Sequence, residues 1–154
     1  MTQFFAQKAS IPNPALEPFR VLIGNWSTTG THGSVPDTVL YGRTSFEWLE
    51  NGAFLMMRSE IDDPRFPQGI AIFGSDDSEG ECYMLTFDER GVSRKHEVSL
   101  RDNIWKWWRN APGFSQRYEG TIVDDSNTII GKGELSKDGL SWEKDLDLTY
   151  TRME

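Results

Sequence analysis

The chain has a single cysteine, Cys82, so it offers no internal disulfide and no cysteine cluster for zinc. That suits a reducing compartment, and a cytoplasmic location is the expectation. No apolar run approaches the roughly 18 residues that a membrane-spanning helix requires. Residues Met1–Lys8 lack a basic stretch followed by a sustained apolar one, so no secretory signal is expected. Positive charge is also scarce: 16 Lys and Arg against 24 Asp and Glu leave a net charge of −8. Neither nucleic acid nor an anionic membrane is an expected partner for such a chain. There is no glycine-rich phosphate loop, dinucleotide fingerprint or nucleophile elbow. Asp76-Asp77 and Asp124-Asp125 fall at turns, where aspartate satisfies nearby backbone groups. Glu143, Asp145 and Asp147 alternate along one stretch and read as a solvated outer face. Histidine is limited to His32 and His96, so unperturbed proton chemistry near neutrality rests on these two.

What the chain does contain is aromatic and β-forming. It has six Trp, nine Phe and 14 Gly among 154 residues, read as one domain over 1–154 with a flexible arm at 1–12. Asn13-Pro14 supplies a cap and a first-turn proline, and Leu16, Phe19, Leu22 and Ile23 give a short helix one apolar face. From Gly24 onward, strand-like runs alternate with turn signals at the spacing of a barrel or sandwich. Strands are expected near 25–32, 39–50, 53–61, 69–75, 81–88, 92–101, 104–110, 115–123, 128–136 and 140–151. The connections are too short for parallel crossovers. The fold expected is therefore an all-β, single antiparallel up-and-down barrel of about ten strands, the helix covering one end.

Two hairpin signals fix the inward face. Asn51-Gly52 is a strong two-residue turn, placing Trp48 opposite Leu55, Phe46 opposite Met57 and Thr44 opposite Ser59. Asp102-Asn103 would oppose Leu100 with Trp105, Val98 with Trp107 and His96 with Arg109. Opposed residues share a face. His32, Ser59, Arg94, His96, Arg109 and Gln116 then point inward toward the open end, with Phe46, Met57, Trp107 and Tyr118 below them. Trp108 points outward, and an exposed tryptophan on a strand suggests contact with a second copy, a homodimer. The segments 62–68 and 110–114 are proline-stiffened and lie where lids over the open end would.

The stretch from Pro14-Ala15-Leu16 through Leu22-Ile23-Gly24-Asn25-Trp26-Ser27-Thr28-Thr29-Gly30 resembles the start of calycin-superfamily barrels. The likeness is to nitrobindin-like proteins and to bacterial lipocalin-like families of unknown function. Gly42-Arg43 through Asn51-Gly52, Phe73–Asp77 and Trp107-Trp108-Arg109 look like the latter too. The resemblance implies a lipocalin-like barrel in which Trp26 closes one end. A nitrobindin-like protein would further imply haem, bound by a histidine late in the chain. Here the strands at 128–151 contain none, and Thr28 stands where that family's first strand usually has glycine. Haem would fall to His32 or His96, and no cofactor and no metal is the expectation.

These residues lead to a non-catalytic binding protein for a small, partly apolar, anionic ligand. Arg94, His96 and Arg109 would orient the polar head, since guanidinium matches carboxylate or phosphate bidentately. Phe46, Met57, Ser59, Trp107, Gln116, Tyr118 and His32 would line the remainder. Two alternatives stay open. One is an enzyme using His96 for proton transfer or haem-linked oxidant chemistry. The other is a structural or oligomerisation barrel filled by its own aromatics.

Overall fold

A computed structural model describes residues 10–77 and 80–154. Most of the expected arm, with Phe4 and Phe5, lies outside the described residues. The first element is a 3-10 helix, Pro14–Leu22. Pro18 inside it lacks the N–H that an α-helical turn would use. The Asn13 side chain accepts from the Ala15 N–H at 3.0 Å and donates to Ser75 Oγ at 2.9 Å, capping the helix and tying it to the sheet. Leu16, Phe19 and Leu22 are fully buried, and Phe19 meets Phe73 edge-on at 5.4 Å.

Eleven strands follow: β1 (Gly24–His32), β2 (Leu40–Leu49), β3 (Phe54–Ile61), β4 (Gly69–Ser75), β5 (Cys82–Asp88), β6 (Ser93–Arg101), β7 (Ile104–Arg109), β8 (Ser115–Val123), β9 (Thr128–Ser136), β10 (Glu143–Lys144) and β11 (Leu146–Arg152). Each pairs antiparallel with its neighbours, and β11 returns to pair with β1, closing the sheet on itself. β10 and β11 together occupy one position around the ring, so the barrel has the ten staves expected.

The two turn signals act as expected. Asn51 and Gly52 have φ of 59° and 90°, and the Ala53 N–H donates back to the Glu50 carbonyl. This is the backbone twist that two-residue hairpins need. The ladder beyond it pairs Trp48 with Leu55, Phe46 with Met57 and Thr44 with Ser59. Asp102 and Asn103 likewise adopt positive φ, and Leu100 faces Trp105 while Val98 faces Trp107. Trp108 is on the outer face but half-buried there.

Trp26 is fully buried at the end covered by the helix. Its indole N–H donates to the Leu22 carbonyl at 2.8 Å, and the Arg152 guanidinium lies 4.2 Å over its ring. Arg152 also donates to the Val21, Ile23 and Ser126 carbonyls. It thereby serves the free carbonyls at the helix C-terminus, where a cation is favoured. Gly24 has φ of 128°, and a Cβ there would come within 2.9 Å of the Arg152 guanidinium. Only glycine suits that junction.

One expectation is overturned. The stretch 140–151 is not a single regular strand with Asp145 on its solvated face. The β9 register runs Lys144↔Glu134 along β10 but Leu148↔Gly131 along β11. The index sum changes from 278 to 279, so one extra residue is inserted: a β-bulge. Asp145 sits at that insertion, with its N–H donating to Gly133 O and its side chain buried.

Candidate functional site

The inner half of the barrel is aromatic. Phe46 meets Trp105 edge-on at 5.7 Å, Trp105 meets Tyr118 at 5.2 Å and Tyr150 at 6.0 Å, and Trp107 stacks on Tyr118 with ring centres 5.0 Å apart. Burial pushes the Tyr150 phenol up to about 12. Burial also pushes the Tyr118 phenol well above its ordinary value, with neighbouring Tyr150 adding to it. Both remain protonated over any ordinary pH range.

Toward the open end the lining becomes polar, and four side chains form one hydrogen-bonded chain. His32 Nε2 lies 2.8 Å from Asp145 Oδ1. The Gln116 amide donates to Asp145 Oδ2 at 3.0 Å, and Gln116 Oε1 lies 3.0 Å from His96 Nε2. His96 rests edge-on against Trp107 with centres 5.0 Å apart. The chain thus links a histidine at the rim to one packed on the aromatic floor.

Asp145 is the member that sequence reasoning missed. Alternation places Leu146, Leu148 and Tyr150 inward, so their odd-numbered neighbours fall outside. The bulge breaks that rule for one residue. The signal available was the glycine opposite, since an isolated glycine in a strand marks a bulge or a close approach. A Cβ on Gly133 would come within 2.8 Å of the Leu146 carbonyl and 3.6 Å of the Asp145 side chain.

Arg94 and Arg109 flank His96. The Arg94 guanidinium lies 4.7 Å over the Phe114 ring. Its pKa is lowered by burial first, and then by the positive charges of Arg109 and Arg90. Arg109 has no hydrogen bond and no ion pair among the described residues, and its Nε is buried. The Trp105 indole N–H and His96 Nδ1 are likewise buried and without a partner. Native structures rarely leave such groups unsatisfied, and each one costs about 1–3 kcal/mol.

Both expected lid segments reach the site. Phe66 packs edge-on against His32 at 5.3 Å, and its segment is braced by the Asp63–Arg65 pair at 2.7 Å. Phe114 is the ring beneath Arg94, its loop held by two hydrogen bonds between Ala111 and Ser115.

The structure therefore gathers His32, Arg94, His96, Trp107, Arg109, Gln116 and Tyr118 from the expected set and adds Asp145. Phe46 joins only through the floor. Met57 packs against the core, and Ser59 opposes Thr44 and Gly69 on β3. Neither belongs to the polar chain. Two broad concavities of 640 and 930 Å³ lie on the outer surface instead. In the larger of them the guanidinium of Arg117 is already matched, by Glu134 at 2.9 Å and by the Trp142 face at 3.8 Å.

His96 has a stability consequence. Burial holds its pKa below the ordinary histidine value, and Arg109 and Arg94 add to that, against the opposing pull of Gln116. The folded chain therefore resists protonating His96, while the unfolded chain accepts the proton once pH falls below about 6.5. Stability is full above that pH and falls as acidification proceeds toward the folded value, by at most about 1.4 kcal/mol per pH unit. Urea midpoints of wild type and His96→Gln from pH 8 to 5 check this. The variant should lose that part of the slope, and parallel curves would refute it.

No family model matches the chain, and no curated protein matches it. Among solved structures, Rv2717c from M. tuberculosis is similar, with a TM-score of 0.62 over 92% of this chain and 98% of that one. The two are 12% identical. The likeness is one of fold.

No helix among the described residues is long and apolar enough to cross a membrane.

Proposed function

We propose that this barrel binds a small, partly apolar anion, without catalysing a reaction, in the polar half between the Trp107–Tyr118 floor and the Phe66 and Phe114 segments. The observation that carries the reading is Arg109: an inward guanidinium with a buried, unpartnered Nε, beside an uncharged histidine. Arg109 is half-buried and has no counter-charge among the described residues, and a ligand carboxylate or phosphate would supply one. Arg94 adds a second positive charge, while the aromatic floor would take the apolar body. Kinship with calycin-type barrels belongs to the same reading, supported by the Gly24-Asn25-Trp26 stretch at the helix-covered end.

Haem does not fit these residues. His32 uses both ring nitrogens, Nε2 at Asp145 and Nδ1 at the Ser34 N–H, 2.9 Å away. His96 spends Nε2 on Gln116, and its free Nδ1 is buried in a residue 4% exposed whose ring abuts Trp107.

Native mass spectrometry of protein purified from its own host is the first test, since a co-purifying acid would be weighed directly. Arg109→Ala should then weaken that acid about 30-fold, or about 2 kcal/mol, the scale of a lost hydrogen bond to a charged group. The melting curve should be no worse than wild type, because truncation also removes a buried Nε–H that has no partner. Unchanged affinity in calorimetric titration would remove Arg109 from the site.

A further inference from the structure

The polar chain determines where the protons sit, and that bears on which ligand the barrel accepts. The Ser34 backbone N–H can only donate, so His32 Nδ1 accepts from it at 2.9 Å and the ring proton is on Nε2. His32 Nε2–H therefore donates to Asp145 Oδ1. A carboxylate can only accept, so the Gln116 NH₂ faces Asp145 and the Gln116 carbonyl oxygen faces His96. That oxygen accepts from His96 Nε2–H. The remaining nitrogen, His96 Nδ1, then carries a bare lone pair, buried and without a partner in a residue 4% exposed. The other buried side-chain atoms without a partner among the described residues are Arg109 Nε and the Trp105 indole nitrogen, which can only donate, and the Tyr118 hydroxyl, which can do either.

We infer that Asp145 and Gln116 are positioning residues that lock His96 in its Nε2–H tautomer, so that the barrel selects anions whose polar head also carries a hydroxyl. The inference rests on the anion-binding reading above. The ligand class is a hydroxy-acid with an apolar body: its anionic group lies toward Arg109 and its hydroxyl donates to His96 Nδ1. A ligand with the same charge but an ether oxygen in place of the hydroxyl sets two acceptors against each other, and discrimination by unpaired groups of this kind is strong.

The first measurement needs no variant and no ligand. In protein labelled with ¹⁵N-histidine, long-range proton–nitrogen correlation at neutral pH should show His96 with a protonated Nε2 and a bare Nδ1. An Nδ1–H tautomer or an imidazolium would overturn the inference. Asp145→Asn, which keeps the shape but adds a donor, should let Gln116 turn and mix the two tautomers. Gln116→Leu should unlock the ring by itself, and serves if the Asn variant folds poorly. An unaltered His96 spectrum in a folded variant would end the positioning role.

The second measurement uses the monohydroxybenzoates and their methyl ethers as probes, by calorimetry. At least one hydroxy acid should bind tenfold or more tighter than its ether, and Gln116→Leu should abolish the preference. Equal binding of acid and ether would overturn the hydroxyl requirement while leaving anion binding intact. If none binds although the tautomer is locked, the anion reading and the ligand class fall together.

Discussion

Trp26→Ala is expected to lose about 4 kcal/mol of unfolding free energy, in the range measured for large aromatic truncations in cores. The side chain is fully buried, and its neighbours have little freedom to close the gap. Its ring separates the 3-10 helix from Tyr150, which it meets edge-on at 6.4 Å. Arg152 lies against its face while serving three backbone carbonyls. Truncation removes the indole's bond to Leu22, leaves a cavity, and strips a surface from a half-buried guanidinium. For a domain of this size the melting temperature should fall by roughly 10 °C. Trp26→Phe should recover about half of the loss, because it keeps most of the volume but not the N–H. A loss under about 1 kcal/mol in urea denaturation would show that the helix is not anchored through this ring. Ligand affinity, measured on the folded fraction, should be unaffected because the site is at the other end.

Asp145→Ala should cost about 3 kcal/mol, and it separates two views of the last stave. The carboxylate accepts from both His32 and Gln116, and hydrogen bonds to charged groups contribute about 1.5–3 kcal/mol each. Part of this is offset, since the variant no longer buries a charge. Glu143, one residue pair away, is exposed. Glu143→Ala should change stability by less than about 0.5 kcal/mol. If Asp145→Ala proves as silent as Glu143→Ala in the same denaturation experiment, the bulge does not carry Asp145 inward. The two variants share charge change and strand, so only their orientation distinguishes them.

Most of the barrel was legible because strands report their two faces with a period of two, and because Asn51-Gly52 and Asp102-Asn103 demand positive φ. Once those turns fix the register of β2–β3 and β6–β7, the inward positions of Phe46, His96, Trp107 and Arg109 follow without further assumption. The same logic fails at Asp145. A bulge shifts the period by one residue, and nothing in Glu143-Lys144-Asp145-Leu146 distinguishes the inserted residue from its neighbours. The candidate site was accordingly half legible: its cations and aromatic floor followed from alternation, whereas the carboxylate that connects the two histidines did not. The helix was legible as an element, but its tight 3-10 winding reflects Pro18 and was not inferred.

The closing seam between β1 and β11 has a further consequence, for the order in which the molecule can be made. Ser27 and Thr151 meet across it although 124 residues separate them. During synthesis β1 emerges early and can pair with β2, yet its other edge has no partner until the last stave has left the ribosome. Until then the nascent barrel is an open, curved sheet with exposed hydrogen-bonding groups along β1, the kind of edge that recruits other chains. Arg152 both completes that seam and fastens Trp26 and the helix end. Closure of the ring and locking of its base are thus a single late event, governed by contacts between residues 124 positions apart.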